Sequence, residues 1–418
     1  MKRRSKTVRQ GTDYVPCRFL SAAVFLLHVE LPSAARKKAA GHAPGRARSA
    51  ATKAIRQVFN PVLALHVPAW YFYINTLSRS GYRRSVSAKK VRIPVPGREG
   101  DALETKPYAF GIDIGGTTVK CGFFKSDGTL MDKWEIPTRT ENNGEAILPD
   151  IADSIKRKLA DQGASLDDVE GVGVGVPGPV LGDGTVNGCV NLNWGVINIK
   201  QKFQNLLDGV KVEVGNDANV AALGEQWHGG GEGHMNVVMI TLGTGVGGGL
   251  IINGRIYSGA HGAAGELGHM MMVEDETETC GCGKKGCIEQ YASARGIARK
   301  ARKVLAAEKD KVSTLHKIHA VTSKHVFDEA KEGDQLALSL VDWTGQMLGK
   351  ALSQITVVVD PEVIVIGGGV SKAGKMLIDA IEKYYRKYAF YACKDTEIRL
   401  ARLGNDAGIY GAARMVLF

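Results

Sequence analysis

Three cysteines fall within eight residues of the segment "CGCGKKGCIE", which begins at Cys280. Cys280, Cys282 and Cys287 have C-x-C-x₄-C spacing, and the glycines between them let the backbone fold sharply enough for three thiolates to converge. A disulfide would leave one cysteine over, whereas a tetrahedral zinc site requires one further ligand. His269 is the nearest histidine and His261 is the alternative. The cluster predicts a closed, structural zinc site with no open position for chemistry.

A carboxylate stands where a short strand is predicted to end and a helix to begin, in "KVEVGNDAN". At such a junction Asp217 is commonly no more than a helix cap. A carboxylate at the end of a strand can also face a cleft and accept a proton from a substrate hydroxyl. The residues alone leave both interpretations open.

Three glycine-rich turns each follow an apolar strand: "DIGGTT" (113–118), "LGTGVGGG" (242–249) and "IGGGVS" (366–371). Glycines let backbone N–H groups wrap an anion, and neighbouring threonines add hydroxyl donors. One such loop would be an ordinary tight turn, but three at equivalent strand ends indicate phosphate binding. A dinucleotide fingerprint would open a helix, whereas "GTGVGG" runs into a predicted hairpin, and no Walker sequence occurs.

The elements that must position these residues form a pattern that occurs twice. A strand meander is predicted from Tyr108, followed by alternating helices and strands, and "MNVVMITLGTGVGGGLIINGRI" starts the same meander again. The repeat predicts an α/β protein of two lobes, 107–230 and 231–418, with a ligand cleft between them. A zinc-binding insertion at about 266–290 belongs to the second lobe.

The chain has 418 residues and a net charge of +11, which is confined to a basic leader. Residues 1–106 hold 21 of the 54 Lys and Arg but 5 of the 43 Asp and Glu, so the remainder is mildly acidic and offers no case for nucleic-acid binding. The leader's apolar run of thirteen residues is too short to span a bilayer. We expect residues 1–106 to be disordered, to be a targeting segment, or to be an extension that does not belong to the natural protein. The chain has an odd number of cysteines, seven, and the four outside the cluster have no regular spacing, which favours a reducing, cytoplasmic setting.

From Tyr108 to Phe418 the chain resembles the ROK family of repressors, open reading frames and sugar kinases. The resemblance rests on "DIGGTT", "GVPGPV", "GNDANVAALGE", "ITLGTGVGGGLI", "GAHGAAGELGHM" and "CGCGKKGCIEQYAS", in this order. It implies duplicated actin-like ATPase domains with the ribonuclease H-like fold. No winged helix-turn-helix precedes them in the sequence, so the kinase branch is favoured, and within it the ATP-dependent glucokinases.

The resemblance also implies roles for single residues. Asp217 would be the general base, and Asn216 would hold the sugar. Glu266 and Glu289 would bind sugar hydroxyls, and His269 would bind zinc through one ring nitrogen and the sugar through the other. Weaker candidates for the sugar wall are Gly178, Asn191 and Asn193.

The implied cofactors are ATP, Mg²⁺ and structural Zn²⁺. Asp113 is the candidate ligand for Mg²⁺, with a water between them, because Mg²⁺ usually keeps several waters. The metal ligands for zinc would be His269, Cys280, Cys282 and Cys287. The predicted nucleotide-binding residues are Asp113, Gly115, Gly116, Thr117, Thr118, Lys120, Gly243, Thr244, Gly245, Gly247, Gly248, Gly367, Gly368 and Gly369.

Two alternative functions remain at this point. One is the same chemistry on N-acetylglucosamine, N-acetylmannosamine, allose or fructose, and the other is a sugar-sensing regulator without turnover. Asp217 and the missing recognition helix speak against the sensor. The expected partners are a small sugar and a second or further copies of the chain, as a homodimer or homotetramer, with no nucleic acid and no stable membrane insertion.

Overall fold

The computed structural model describes residues 106–418. The predicted leader, residues 1–106, therefore lies outside the described residues except for its last position. Its role stays a prediction.

Strands of the described chain form two larger sheets and one hairpin. Their bounds are β1 (Tyr108–Ile114), β2 (Thr118–Lys125), β3 (Leu130–Pro137), β4 (Val169–Val176), β5 (Thr185–Cys189), β6 (Trp194–Asn198), β7 (Val212–Asn216), β8 (Val237–Leu242), β9 (Val246–Ile252), β10 (Arg255–Ile256), β11 (Val363–Gly367) and β12 (Glu397–Leu400).

The helices lie between and after these strands. Their bounds are α1 (Glu141–Gly144), α2 (Ile147–Asp161), α3 (Ile199–Leu206), α4 (Asp217–His228), α5 (Glu289–Ala292), α6 (Ala294–Ala307), α7 (Ser323–Lys331), α8 (Gln335–Val359), α9 (Lys375–Tyr388) and α10 (Ala407–Leu417). None of the helices within residues 106–418 is both long enough and apolar enough to cross a membrane.

The two five-stranded sheets share one topology. The first has the order β3-β2-β1-β4-β7, in which β1 to β3 form an antiparallel meander and β4 and β7 run parallel to β1. The second has the order β10-β9-β8-β11-β12, with β8 to β10 as the meander and β11 and β12 as the parallel strands. The predicted duplicated α/β architecture is confirmed.

The C-terminal helix α10 packs against the first sheet, although it follows the second sheet in the sequence. A Cβ atom at Gly173 of β4 would lie 1.8 Å from the carbonyl oxygen of Ala412, and one at Gly411 would lie 1.7 Å from that of Val220. Helix α10 can therefore touch both β4 and α4 only because these positions are glycine. The predicted division at residue 230 separates the two sheets, but it assigns α10 to the second lobe although the helix packs on the first sheet. The domain boundaries stay a prediction.

Apolar side chains form a separate core around each sheet. In the first, Phe110, Val172 and Ile155 of α2 are fully buried together. In the second, Ile364 of β11 and Leu352 of α8 are equally buried. The parallel strands β4 and β11 are buried on both faces, which is why they read as continuous apolar runs.

Candidate active site

A cleft of about 500 Å³ lies at the carboxyl ends of parallel strands from both sheets. This is the position at which open α/β sheets bind ligands. It is lined by Pro177, Gly178, Asn191, Asn216, Asp217, Ala218, Thr241, Gly243, Gly245, Val246, Gly247, Gly248, Gly265, Glu266, His269, Glu289 and Gly368. All the residues that the resemblance assigns to the sugar, apart from Asn193, are among them.

Asp217 is the first residue of α4 and is not the helix cap. The cap is Asn216, whose side-chain oxygen accepts hydrogen bonds from the N–H groups of Ala218 and Asn219, both at 3.1 Å. The Asn216 amide in turn donates to the carbonyl oxygen of Gly178 at 3.1 Å and to Oδ1 of Asp217 at 3.0 Å. Asp217 is therefore held through Oδ1, while its Oδ2 accepts no hydrogen bond from any residue of 106–418 and is available to a ligand.

The surroundings of Asp217 suit a base at neutral pH. Burial raises the pKa of its carboxyl group to about 6, and the negative charges of Asp113 and Glu266 act in the same direction. Hydrogen bonds from Ala218 and Asn216 oppose this shift. A general base is most effective when its pKa lies near the working pH.

Asp113 is the penultimate residue of β1 on the first sheet, close to the start of α10. Burial raises the pKa of its carboxyl group, and the Lys120 ammonium, 4.0 Å away, partly opposes this. Lys120 also donates to the carbonyl oxygen of Asn405 at 3.1 Å. A Cβ atom at Gly408 would lie 2.5 Å from Cγ of Asp113, so a glycine is needed for the helix to begin here. Neither Asp113 nor Lys120 lines the cleft itself.

The first glycine-rich loop is a tight turn beside the cleft. The N–H of Gly115 donates to the carbonyl oxygen of Thr118 at 3.0 Å. The N–H of Thr138 donates to the carbonyl oxygen of Thr117, and its hydroxyl donates to that of Gly115. Gly116 and Thr117 are exposed. A Cβ atom at Gly116 would lie 3.7 Å from the carbonyl oxygen of Asn191, which places this loop against the sugar-side wall. Gly115, Gly116, Thr117 and Thr118 do not line the cleft cavity.

The second glycine-rich loop lies within the cleft and is bound to Glu289. The N–H of Val246 donates to Oε2 of Glu289 at 2.9 Å, and a Cβ atom at Gly245 would lie 2.3 Å from the same oxygen. Gly243, Gly245, Gly247 and Gly248 face the cleft. Thr244 instead lines a neighbouring cavity of about 380 Å³, which shares Gly245 and Glu289 with the cleft.

The third glycine-rich loop faces two spaces. Gly368 lines the cleft and has a φ of +83°. A Cβ atom at this position would lie 2.6 Å from backbone atoms of Leu242. Gly369 lines a smaller cavity of about 170 Å³ that includes Phe327 and Lys372. Gly367 is buried at the end of β11 and lines neither of these cavities.

The cysteine cluster converges as its spacing predicts. The ligand atoms of His269, Cys280, Cys282 and Cys287 all lie within 4.8 Å of one another. Nδ1 of His269 is 3.7 Å from Sγ of Cys280, and Sγ of Cys282 is 3.6 Å from Sγ of Cys287. Four ligands around Zn²⁺ at a Zn–S distance near 2.3 Å would be about 3.8 Å apart, so the donor set fits this metal. His261 is not part of the group.

Asn193 and Trp194 hold the wall of the site in a way that the local sequence pattern does not indicate, and the prediction of Asn193 on the sugar wall is wrong. Asn193 does not line the cleft, because its amide donates to the carbonyl oxygen of Thr140 at 3.1 Å. Nε1 of Trp194 donates to the carbonyl oxygen of Gly144 at 3.2 Å. These bonds attach the segment that carries Asn191 to α1. We call them the α1 latch.

Comparison with known proteins identifies the family of this chain. The family model described as "ROK family" matches residues 109–417. A glucokinase of Halalkalibacterium halodurans is 43% identical over 310 residues, which cover 73% of this chain and 94% of the relative. The chain belongs to the ROK family.

Solved ROK structures agree in fold. A ROK family glucokinase from Streptomyces griseus, in complex with glucose and AMPPNP, is 34% identical with a TM-score of 0.58 and covers 74% of this chain and 98% of its own. A ROK hexokinase from Thermus thermophilus is 31% identical with a TM-score of 0.60, covering 73% and 96%. These ROK matches are consistent with the two-lobed architecture described above.

One buried carboxylate of this ROK chain was not anticipated. Glu225 is fully buried on α4. It accepts hydrogen bonds from the N–H groups of Gly230, Arg402 and Leu403, at 2.8, 2.9 and 2.8 Å. It thereby joins α4 to the segment that leads into α10. Glu225 is the final residue of the segment "GNDANVAALGE", and nothing in the sequence indicates a chemical role for it.

Proposed function

We propose that the chain is an ATP-dependent hexose kinase that converts glucose and ATP to glucose 6-phosphate and ADP. The observation that carries the proposal is one cleft that collects five polar side chains beside two glycine-rich loops. These side chains are Asn216, Asp217, Glu266, His269 and Glu289. A polyhydroxylated ligand needs several fixed polar partners, and such a site rejects analogues that lack a hydroxyl. The glucokinases among the relatives support glucose as the substrate.

In the proposed reaction, Asp217 orients the sugar 6-hydroxyl and takes its proton. The hydroxyl oxygen forms a bond to the γ-phosphorus as the bond between that phosphorus and the β,γ-bridging oxygen breaks, and ADP leaves. The available Oδ2 atom and the raised pKa of Asp217 suit this role. In the loose transition state of phosphoryl transfer, positioning and charge stabilisation contribute most of the catalysis.

The phosphates of ATP are proposed to lie between the first and second glycine-rich loops, with the adenosine towards the third. Gly245 lies on the cleft wall, and its backbone N–H has no hydrogen-bond partner within residues 106–418, so it is available for anion binding. Mg²⁺, when bound, would neutralise charge on the β- and γ-phosphates. Asp113 is the proposed carboxylate for it, through water, because it lies close enough to Asp217 for its charge to raise the pKa of that carboxyl group.

Zn²⁺ is proposed at His269, Cys280, Cys282 and Cys287, where it would be structural. Binding through Nδ1 would fix the His269 ring so that Nε2 faces the sugar. The thiolates must be reduced, which supports a reducing, cytoplasmic setting. A homodimer or homotetramer stays a prediction.

A coupled ADP-release assay over a panel of sugars tests the proposal. We expect the highest kcat/KM with glucose and lower values with N-acetylglucosamine, N-acetylmannosamine, allose and fructose. A higher value with another sugar would retain the kinase but reassign its substrate. Binding of a sugar without any ADP release would overturn the kinase in favour of a sensor.

A further inference from the structure

Another cavity, of about 370 Å³, shares no residue with the cleft and touches elements of both sheets. Glu213 and Val214 of β7 form one side, and residues 254–256 at the β9–β10 turn form another. Helices α4 and α10 complete it through Leu223 and Met415. Its volume lies at the lower end of the range for small-molecule sites. We call it the hinge pocket.

The hinge pocket contains two cations without ion-pair partners in the described chain. Arg255 and Arg414 both line it, and neither forms an ion pair with any residue of 106–418. Its one acidic side chain, Glu213, is already bound by Lys200, whose Nζ lies 3.0 and 3.1 Å from the two carboxylate oxygens. Glu213 is neutralised by Lys200, and the terminal carboxylate of Phe418, which also lines the pocket, forms no ion pair with either arginine. Both guanidinium groups therefore remain available to an anion.

Arg414 is the unusual member of this pair. Its Nε and Nη1 atoms are buried and have no hydrogen-bond partner within residues 106–418. Burial lowers the pKa of its guanidinium. Its charged end lies 4.4 Å from the ring centre of Phe418 and 5.9 Å from that of Trp227. Arg414 as a whole is half-buried, but two N–H groups that are buried without acceptors cost stability, which a bound ligand would offset.

Two structural explanations account for only part of this arrangement. Helix C-termini attract cations, and Arg414 is in the last turn of α10. Aromatic faces also attract a guanidinium. Yet the two buried nitrogens bond neither to the last carbonyl oxygens of α10 nor to any other acceptor within residues 106–418. An oxyanion would provide acceptors, because the guanidinium fork matches carboxylate and phosphate oxygens.

We propose that the hinge pocket binds a small organic oxyanion, a carboxylate or phosphate monoester attached to an apolar body. Arg414 and Arg255 would bind the oxyanion, with a small movement of the Arg414 side chain. Val214, Leu223 and Met415 would contact the apolar part. Val214 precedes Asn216 by two residues on β7, and Asp217, the first residue of α4, follows directly after that strand. An occupant would therefore contact the strand that leads into the candidate base.

Trp227 provides the readout, because its ring lies 5.7 Å from Phe418 and beneath Arg414. Phenyl phosphate and benzoate are the probes, with inorganic phosphate and phenol as single-feature controls. We expect saturable fluorescence changes with both probes, absent in Trp227→Phe, and about tenfold weaker binding or more in Arg414→Met. The exposed Arg157, in α2 of the first lobe, supplies the matched control: Arg157→Met should bind as the wild type does.

Stability is the second measurement. Replacing the half-buried Arg414, with its two unsatisfied N–H groups, by an apolar side chain of similar length should leave the melting temperature unchanged or raise it. Equal binding of both probes by the wild type and Arg414→Met would overturn the proposal, as would no saturable binding or a clearly lower melting temperature of Arg414→Met without probe. Should Arg414→Met fail to fold, Arg255→Met at the exposed turn must itself weaken binding. Neither readout needs turnover, so the result is independent of the proposed kinase activity.

Discussion

The carboxylate of Glu289 connects the cysteine cluster to the second glycine-rich loop. Its Oε2 accepts the hydrogen bond from the N–H of Val246 at 2.9 Å, and its Oε1 lies 3.6 Å from Sγ of Cys280. The candidate sugar site and the candidate phosphate site are therefore joined by one side chain. A disturbance of the cluster should reach both.

Glu289→Gln should impair the reaction beyond sugar binding. The amide can keep one hydrogen bond but carries no charge, so we expect a hexose KM raised about tenfold together with a lower kcat. Steady-state kinetics with varied glucose and ATP measures both. Glu274→Gln, an exposed position on the same segment, is the control and should leave both constants unchanged. A rise in KM with an unaltered kcat would contradict the link to the phosphate loop.

Cys282→Ser should lose zinc and sugar affinity together. The metal would hold His269 and the segment leading to Glu289 in one arrangement, and three remaining ligands cannot close a tetrahedral site. Zinc content by elemental analysis and glucose affinity by calorimetry check this. Cys393→Ser alters a buried cysteine outside the cluster and should retain zinc. Normal glucose affinity in a zinc-free Cys282→Ser protein would show that the cluster is a structural cross-link without influence on the sugar site.

Asp217 should control the acid side of the pH profile. With a pKa of about 6 it is a carboxylate above that pH and is protonated below it. We therefore expect kcat/KM to fall as the pH decreases through about 6 and to level off above it. The profile of kcat/KM between pH 5 and 8 measures this. A flat profile would separate Asp217 from proton transfer.

The same carboxylate should destabilise the folded chain at neutral pH. Its folded pKa of about 6 exceeds its ordinary value of 3.8, so the folded state binds the proton more tightly than the unfolded state. The cost is absent below pH 3.8, grows as the pH rises towards 6 and is complete above that. Asp217→Asn should accordingly melt at a higher temperature than the wild type at pH 7.5, with a smaller difference near pH 4.5. Asp153→Asn, an exposed control, should show no such dependence.

Gly144→Ala should break the α1 latch and weaken sugar binding. Gly144 has a φ of +64°, and an added Cβ would lie 2.6 Å from Nε1 of Trp194 and 2.7 Å from the carbonyl oxygen of Leu192. Because this segment holds Asn191 on the cleft wall, we expect a hexose KM raised about tenfold with the affinity for ADP unchanged. Gly163→Ala is matched in backbone, with a φ of +65° and nothing nearby, and should cost stability alone. An unchanged KM in Gly144→Ala would remove the latch from substrate binding.

Local patterns were sufficient to predict much of the fold and part of the site. Apolar runs followed by glycines located β1, β8 and β11, because a buried strand and a tight turn each have their own composition. The spacing of Cys280, Cys282 and Cys287 likewise predicted convergence, since short loops with glycines bring their ends together. Both predictions use only residues that are close together in the sequence.

Contacts between distant segments could not be predicted in this way. The return of α10 to the first sheet depends on close approaches such as that of Gly173 to Ala412, which no local period encodes. Asn193 was expected on the sugar wall but binds Thr140, 53 residues away in sequence. The unpaired nitrogens of Arg414 likewise become evident only when α4 and α10 are seen together.

Phosphorus NMR of the products formed from ATP and glucose tests the central claim most directly. The wild-type chain should produce the signals of glucose 6-phosphate and ADP in equal amounts. Asp217→Asn should reduce the rate by about 10²- to 10⁴-fold, the usual contribution of a positioned base, while still binding ADP. Formation of no phosphate ester by a wild-type chain that binds glucose, or an undiminished rate in Asp217→Asn, would contradict the account.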